Sequence, residues 1–247
     1  MQRPMTTRLG WFCLVMIIAG IAAQARAATF NVSPVRIHLS AAKMTGVLSV
    51  TNAGDAPTVV QCQVRAWSQQ NEKDVYAATD DLIATPPIFT IGPGKTQIVR
   101  LGLRKPPHGS QESAYRIYLQ EIPGPPKPGF QGLQIALRIG VPVFVDPAQA
   151  VAPALHWQAK LGEGGALTLA LQNAGNAHVQ VFDFSVSRRG TSQPIATQKV
   201  SAYVLPAQTM RWRLKPSQEG LKAGETLHLK AYTDAGDVDT DLVLGSP

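Results

Sequence analysis

The chain has 247 residues, 45% of them hydrophobic and 16% charged, with 23 Lys and Arg against 16 Asp and Glu for a net charge of +7. That length accommodates two domains, each large enough to bury its own core. The basic excess is not gathered into a dense Lys/Arg run with interleaved aromatics, which argues against nucleic-acid binding and leaves only a general affinity for anions or acidic proteins.

Arg3 and Arg8 precede an apolar stretch from Leu9 to Ala23, and Ala25-Arg26-Ala27 follows it. This is the pattern of a cleaved signal peptide over residues 1–27, with the mature chain starting at Ala28. The apolar stretch is shorter than the roughly 20 residues of a membrane-spanning helix, so no membrane insertion of the mature chain is expected. Losing Arg3, Arg8 and Arg26 takes the net charge from +7 to +4. Cys13 leaves with the peptide, so Cys62 stands alone and no intramolecular disulfide is expected. In Val60-Gln-Cys-Gln-Val64 the alternation puts Cys62 with the two valines, which predicts a buried, unreactive thiol.

Period-2 runs then dominate: 47–51, 59–67, 98–103, 115–121, 133–145, 166–171, 179–186 and 226–232. Short strands separated by Gly and Pro turn signals predict an all-β chain of sandwiches. A weak repeat supports two of them. Leu48-Ser-Val-Thr-Asn-Ala-Gly54 and the residues to Val60 match Leu169-Ala-Leu-Gln-Asn-Ala-Gly175 and the residues to Val181. The Asn and Gly of each copy suit a turn with positive φ. With a boundary in the Pro/Ala-rich segment 146–153, the expected domains are 28–148 and 149–247.

The run 133–145 is unusual. Leu133, Ile135, Leu137, Ile139, Val141, Val143 and Val145 alternate with Gln134, Ala136, Arg138, Gly140, Pro142 and Phe144. As one strand it would extend about 40 Å, roughly twice the common strand length. Pro142 cannot donate a ladder hydrogen bond, so it belongs at an edge or a strand end. A long apolar edge is an aggregation hazard unless it is meant for another protein.

Four segments resemble the periplasmic pilus-assembly chaperones, the PapD-like family: 33–39 (SPVRIHL), 84–101 (ATPPIFTIGPG onward to QIVRL), 112–123 (ESAYRIYLQEIP) and 133–145 (LQIALRIGVPVFV). The resemblance implies two immunoglobulin-like β-sandwich domains in tandem after a cleaved signal peptide. It implies a periplasmic chaperone that binds pilin subunits by donor-strand complementation and delivers them to an outer-membrane usher. On the matching positions, Leu133, Ile135, Leu137 and Ile139 are the donor residues. The family fixes the pilin's C-terminal carboxylate with cationic side chains between its domains. Arg36 matches one such position, but Pro142 stands where the family usually has a lysine, and Asp146 at another usually basic position. The Tyr115-Arg116 pair resembles the archaic branch, so Arg116 is the expected primary anchor, with Arg36 assisting. Arginine suits the task because its guanidinium meets a carboxylate with two parallel hydrogen bonds. Arg100 is expected to be structural or solvated.

No nucleophile elbow, phosphate loop or His-Glu-x-x-His motif is present, so neither an enzyme nor a cofactor is expected. His38, His108, His156, His178 and His228 lack metal-ligand spacing, and Asp234, Asp237, Asp239 and Asp241 read as a polar hairpin turn. The Pro-rich stretch 123–129 reads as a loop, and Pro86-Pro87 is open to a cis bond. The competing reading is a structural or adhesive surface protein built of two immunoglobulin-like modules. An edge this apolar also predicts self-capping by dimerisation when the chaperone is free.

Overall fold

A computed structural model describes residues 30–125 and 133–246. The expected signal peptide, residues 1–27, and most of the Pro-rich stretch 123–129 lie outside the described residues. Period-2 burial governs what is described: seventeen strands form. The first unit has β1 (Phe30–Ser33), β2 (Ile37–Leu39), β3 (Thr45–Asn52), β4 (Thr58–Gln70), β5 (Lys73–Ala77), β6 (Leu82–Thr85), β7 (Ile88–Ile91), β8 (Thr96–Leu103), β9 (Ser113–Ile122) and β10 (Arg138–Val145). The rest form β11 (Leu155–Leu161), β12 (Leu167–Asn173), β13 (Val179–Arg188), β14 (Pro194–Val204), β15 (Thr209–Leu214), β16 (Thr226–Thr233) and β17 (Val238–Gly245).

In the first unit a four-stranded sheet, β1-β3-β8-β6, faces a six-stranded one, β2-β10-β9-β4-β5, with β7 also paired to β4. Leu48, Val50, Val99 and Leu101 of the first sheet meet Val60, Cys62, Ile117, Leu119, Val141 and Val143 of the second in one core. The remaining seven strands run β14-β13-β16-β17-β11-β12-β15 around a second core that includes Leu169, Leu171, Val181, Phe184, Trp212 and Leu229. The architecture is all-β and multi-sheet, consistent with tandem immunoglobulin-like domains. Cys62 is buried, and that burial pushes its thiol up to about 12.

Three readings need correction. Strand β10 starts at Arg138, so it spans eight residues and 133–137 are outside any strand. The peptide bonds in cis are Ser33–Pro34 and Thr85–Pro86, and the Pro86–Pro87 bond is trans. Neither Asn-Ala-Gly turn uses positive φ. The asparagine instead clasps the turn with its side chain. Asn52 Nδ2 donates to Ala56 O (2.8 Å) and Ile91 O (3.0 Å), while its Oδ1 accepts from the Gly54 N–H at 2.8 Å. Asn173 repeats this with Ala177 O (2.7 Å), Val204 O (3.0 Å) and the Gly175 N–H (3.0 Å). Both asparagines are fully buried, so their amides satisfy loop groups that water cannot reach.

The two glycines are needed for different reasons. A Cβ on Gly175 would lie 2.2 Å from Ala152 O and 2.5 Å from Ala154 N, both backbone atoms. A Cβ on Gly54 would meet the Asn52 Oδ1 at 3.1 Å. Gly175→Ala is therefore expected to cost several times more stability than Gly54→Ala, about 3 kcal/mol or more against about 1. Chemical denaturation of the two variants checks the order. The Cys62 thiol is expected to resist alkylation at pH 8 until the chain is unfolded. Its raised pKa also contributes stability that is present below the unfolded thiol's pKa and lost as pH rises above it.

Candidate interdomain cleft and strand edge

Side chains on the outer face of the six-stranded sheet fall into rows, because β10 and β4 flank β9 in antiparallel register. Phe144, Ala114 and Trp67 share one row, and Pro142, Arg116 and Arg65 the next. Gly140, Tyr118 and Gln63 follow, and then Arg138, Gln120 and Gln61. The alternation that sends Ile117, Val143 and Val64 inward sends these outward.

The first row meets the second unit. Phe144 stacks on His178 with ring centroids 3.5 Å apart and an interplanar angle of 9°. Trp67 meets Tyr203 edge-on at 5.3 Å, and Leu205 packs in the same cluster. Polar groups bridge around this apolar plug. His178 Nδ1 lies 2.7 and 2.9 Å from the two Glu112 oxygens, and both side chains are buried. The Gln69 amide donates to Tyr203 O at 2.8 Å and accepts from Leu205 N–H at 3.0 Å, as a strand neighbour would. Arg36 donates to Asp234 Oδ2 at 2.6 Å, to Gln180 Oε1, and to Tyr203 Oη at 3.3 Å. Burial works against the Arg36 charge, but the hydrogen bond to Asp234 and the help of Tyr203 outweigh it and raise its pKa. For His38, burial and the neighbouring His178 lower the pKa.

Arg116 is held differently. Its guanidinium lies 4.2 Å over the Trp67 ring and 5.7 Å from that of Tyr76. Its stem crosses Gly140, where a Cβ would approach Arg116 Cδ at 3.0 Å. The Arg116 Nε and Trp67 Nε1 are buried without a hydrogen-bond partner among the described residues. Arg116 lines a cavity of about 350 Å³ together with Gln69, Glu72, Asp74 and Tyr203. The Tyr76 hydroxyl there is raised in pKa by burial, against the pull of Arg116.

The expected donor residues divide into two pairs. Leu133 and Ile135 are 83% and 63% exposed. Leu137 and Ile139 are half-buried against the first core. Leu137 is pinned at both backbone groups, since its N–H donates to Glu121 Oε2 at 3.2 Å and its C=O accepts from Glu121 N–H at 2.8 Å. Beyond that point β10 has β9 on one side, and on the other β2 pairs only with Val143, Phe144 and Val145. Pro142 thus sits where the second neighbour ends. Val35 is 78% exposed because residues 35 and 36 form a bend ahead of β2. Arg100 is exposed.

Residues 29–151 match the family described as "Pili and flagellar-assembly chaperone, PapD N-terminal domain". Over that stretch, just under half of the 247 residues, the chain is similar to the PapD-like pilus chaperones. The chaperone protein FimB/FhaD of Bordetella pertussis is 24% identical over 147 residues, 57% of this chain and 59% of that relative. The chain therefore spans less than two thirds of that relative's length. The complex of CsuC with the tip adhesion subunit CsuE, from archaic chaperone–usher Csu pili of Acinetobacter baumannii, matches with a TM-score of 0.64 at 19% identity, covering 89% of this chain and 100% of the matched one. The complex of SafA pilin with SafB chaperone from Salmonella enterica matches with a TM-score of 0.60 at 19% identity, over 89% and 98%. At these identities the likeness speaks for the fold.

The junction residues Gln69, Glu112, His178, Tyr203 and Asp234 were not singled out as site residues by sequence reasoning. The repeat held one usable signal: His178 stands where the first copy has Pro57. The Asp234 ion pair gives a direct test of the junction. Asp234→Ala leaves the half-buried Arg36 without its carboxylate and Gln180 N–H without its acceptor, bonded now at 2.7 Å. A loss of about 1–3 kcal/mol is expected in urea denaturation. Part of that loss should be recovered in the Arg36→Ala/Asp234→Ala double variant, because removing both partners strands no charge.

Proposed function

We propose that the protein is a periplasmic chaperone that holds pilin subunits by donor-strand complementation and passes them to an outer-membrane usher. The observation that carries this reading is the pair of bare apolar side chains, Leu133 and Ile135, rooted on a strand whose edge is open over residues 138–142. A pilin lacking one strand would find there an extended segment with the period-2 spacing its groove requires. Burying each of these side chains contributes about 1.5–3 kcal/mol before ordering costs. Leu137 and Ile139 continue the same face and anchor the segment to the chaperone's own core.

Arg116 is the primary anchor for the pilin's C-terminal carboxylate. Its charge lies on aromatic rings and has no carboxylate partner among the described residues. Arg36, at the far side of Tyr203, assists. The use of Arg116, with Pro142 where the family usually has lysine, fits the archaic branch. The related complexes of CsuC with CsuE and of SafB with SafA support a pilin or tip subunit as the partner.

Periplasmic co-expression with the cognate pilin followed by affinity purification tests this reading. Ile135→Asp and Arg116→Ala, each confirmed as folded by circular dichroism, are expected to lower complex yield about tenfold or more. Wild-type chaperone that neither binds nor protects the pilin would overturn the assignment. In sedimentation equilibrium the free chaperone is expected to dimerise through the same edge, and Ile135→Asp to be monomeric.

A further inference from the structure

Resting on the proposed carboxylate site, the geometry points to Arg65 as its second cationic anchor, paired with Arg116. Arg65 on β4 is the direct cross-strand partner of Arg116 on β9. Both lie on the outward face, next to the row that holds Trp67 and Phe144 against the second unit. Like charges facing each other across a ladder are destabilising, and here, among the described residues, only the aromatic rings beside Arg116 offset them. Neither arginine has an ion-pair partner among the described residues.

The carboxylates beside this cavity are already engaged. Glu72 takes Arg211, and Asp74 accepts from the Gln69 amide at 3.0 Å and from the Tyr76 hydroxyl at 3.1 Å. By contrast, Arg36, the other arginine of the cleft, is neutralised by Asp234. The third position of the arginine row is Pro142, which brings no charge.

The remaining features fit an anion placed on this row. Arg116 Nε and Trp67 Nε1 are buried donors without an acceptor, and a buried N–H is ordinarily satisfied. Gly140 leaves the room that Arg116 needs to lie across the sheet, since a Cβ there would come within 3.0 Å of Arg116 Cδ. One guanidinium takes both oxygens of a carboxylate from one side. A second on the neighbouring strand reaches the lone pairs left over. The ligand class is a single terminal carboxylate at the end of an extended peptide, and Arg65 makes the site select for its charge.

The test uses the full mature chain and a synthetic peptide of the cognate pilin's C-terminal segment, made as the free acid and as the amide. Binding is followed by fluorescence anisotropy. Wild type is expected to prefer the acid, and Arg65→Gln to reduce that preference about tenfold with affinity for the amide unchanged. Arg65→Lys should retain part of the preference. An Arg65→Gln chain that keeps the full preference overturns the proposal, as does one that loses acid and amide binding equally, which marks a structural role. If wild type does not distinguish acid from amide, the carboxylate reading of Arg116 fails and this proposal with it. A donor segment that still captures pilin in co-purification would then stand apart from both.

Discussion

Strand β10 has neighbours on both sides only from Val143 onward. That asymmetry organises the molecule. The last three residues are held between β2 and β9, and among them Phe144 forms the apolar contact with the second unit. The first five have β9 on one side and, among the described residues, nothing paired on the other. Proline at 142, with no N–H to offer, marks the change from one regime to the next. Folded proteins usually cover or charge such an edge. Here the edge leads instead into Leu133 and Ile135, and Glu121 fixes the root of that segment through both backbone groups of Leu137. A bare apolar segment on a rigid root loses less entropy when it is captured than a free one would.

The junction between the two units depends on a mixed contact. Phe144 and Trp67 supply apolar area, and His178, stacked on Phe144, carries a hydrogen bond to buried Glu112. A carboxylate this deeply buried is costly unless its acceptors are filled. The His178 ring and backbone N–H both donate to it. Gln69 adds a directional bond to the backbone at Tyr203 and Leu205, so the contact has register as well as area. The position of the cleft floor therefore follows from groups spread over both halves of the chain.

Period-2 alternation made much of this fold legible. The runs 47–51, 59–67, 98–103, 115–121, 179–186 and 226–232 fall within β3, β4, β8, β9, β13 and β16, and 166–171 starts one residue ahead of β12. The same rule overreached at 133–137. Alternation reports where side chains would point if the segment were paired, and residues 133–136 have no ladder partner among the described residues. Strand β5 (Lys73–Ala77) has no buried residue, so no apolar period marks it. In the repeat, Asn52 and Asn173 were legible as turn residues, but their mechanism is a side-chain clasp rather than backbone freedom. Arg116 and Arg36 could be picked out by motif and facing. Arg36's bond to Asp234 spans 198 residues and the Glu112–His178 pair 66, and no local pattern predicts such meetings.

The cleft treats its cations in two ways, and the difference has a physical consequence. Arg36 is matched by a carboxylate of the chain itself, so its charge is already balanced in the free protein. Arg116 is stabilised by ring faces, which attract the cation without cancelling its charge. An aromatic bed of this kind orients a guanidinium and excludes water from one side of it, while its donors stay available on the other. Charge left uncancelled in a partly desolvated place is costly to the free protein. It is also what makes a later bond to an anion stronger than the same bond would be in water. On the proposed function, the stability withheld at Arg116 and at the bare β10 edge is of one kind: each leaves an interaction unfinished that a bound pilin would complete.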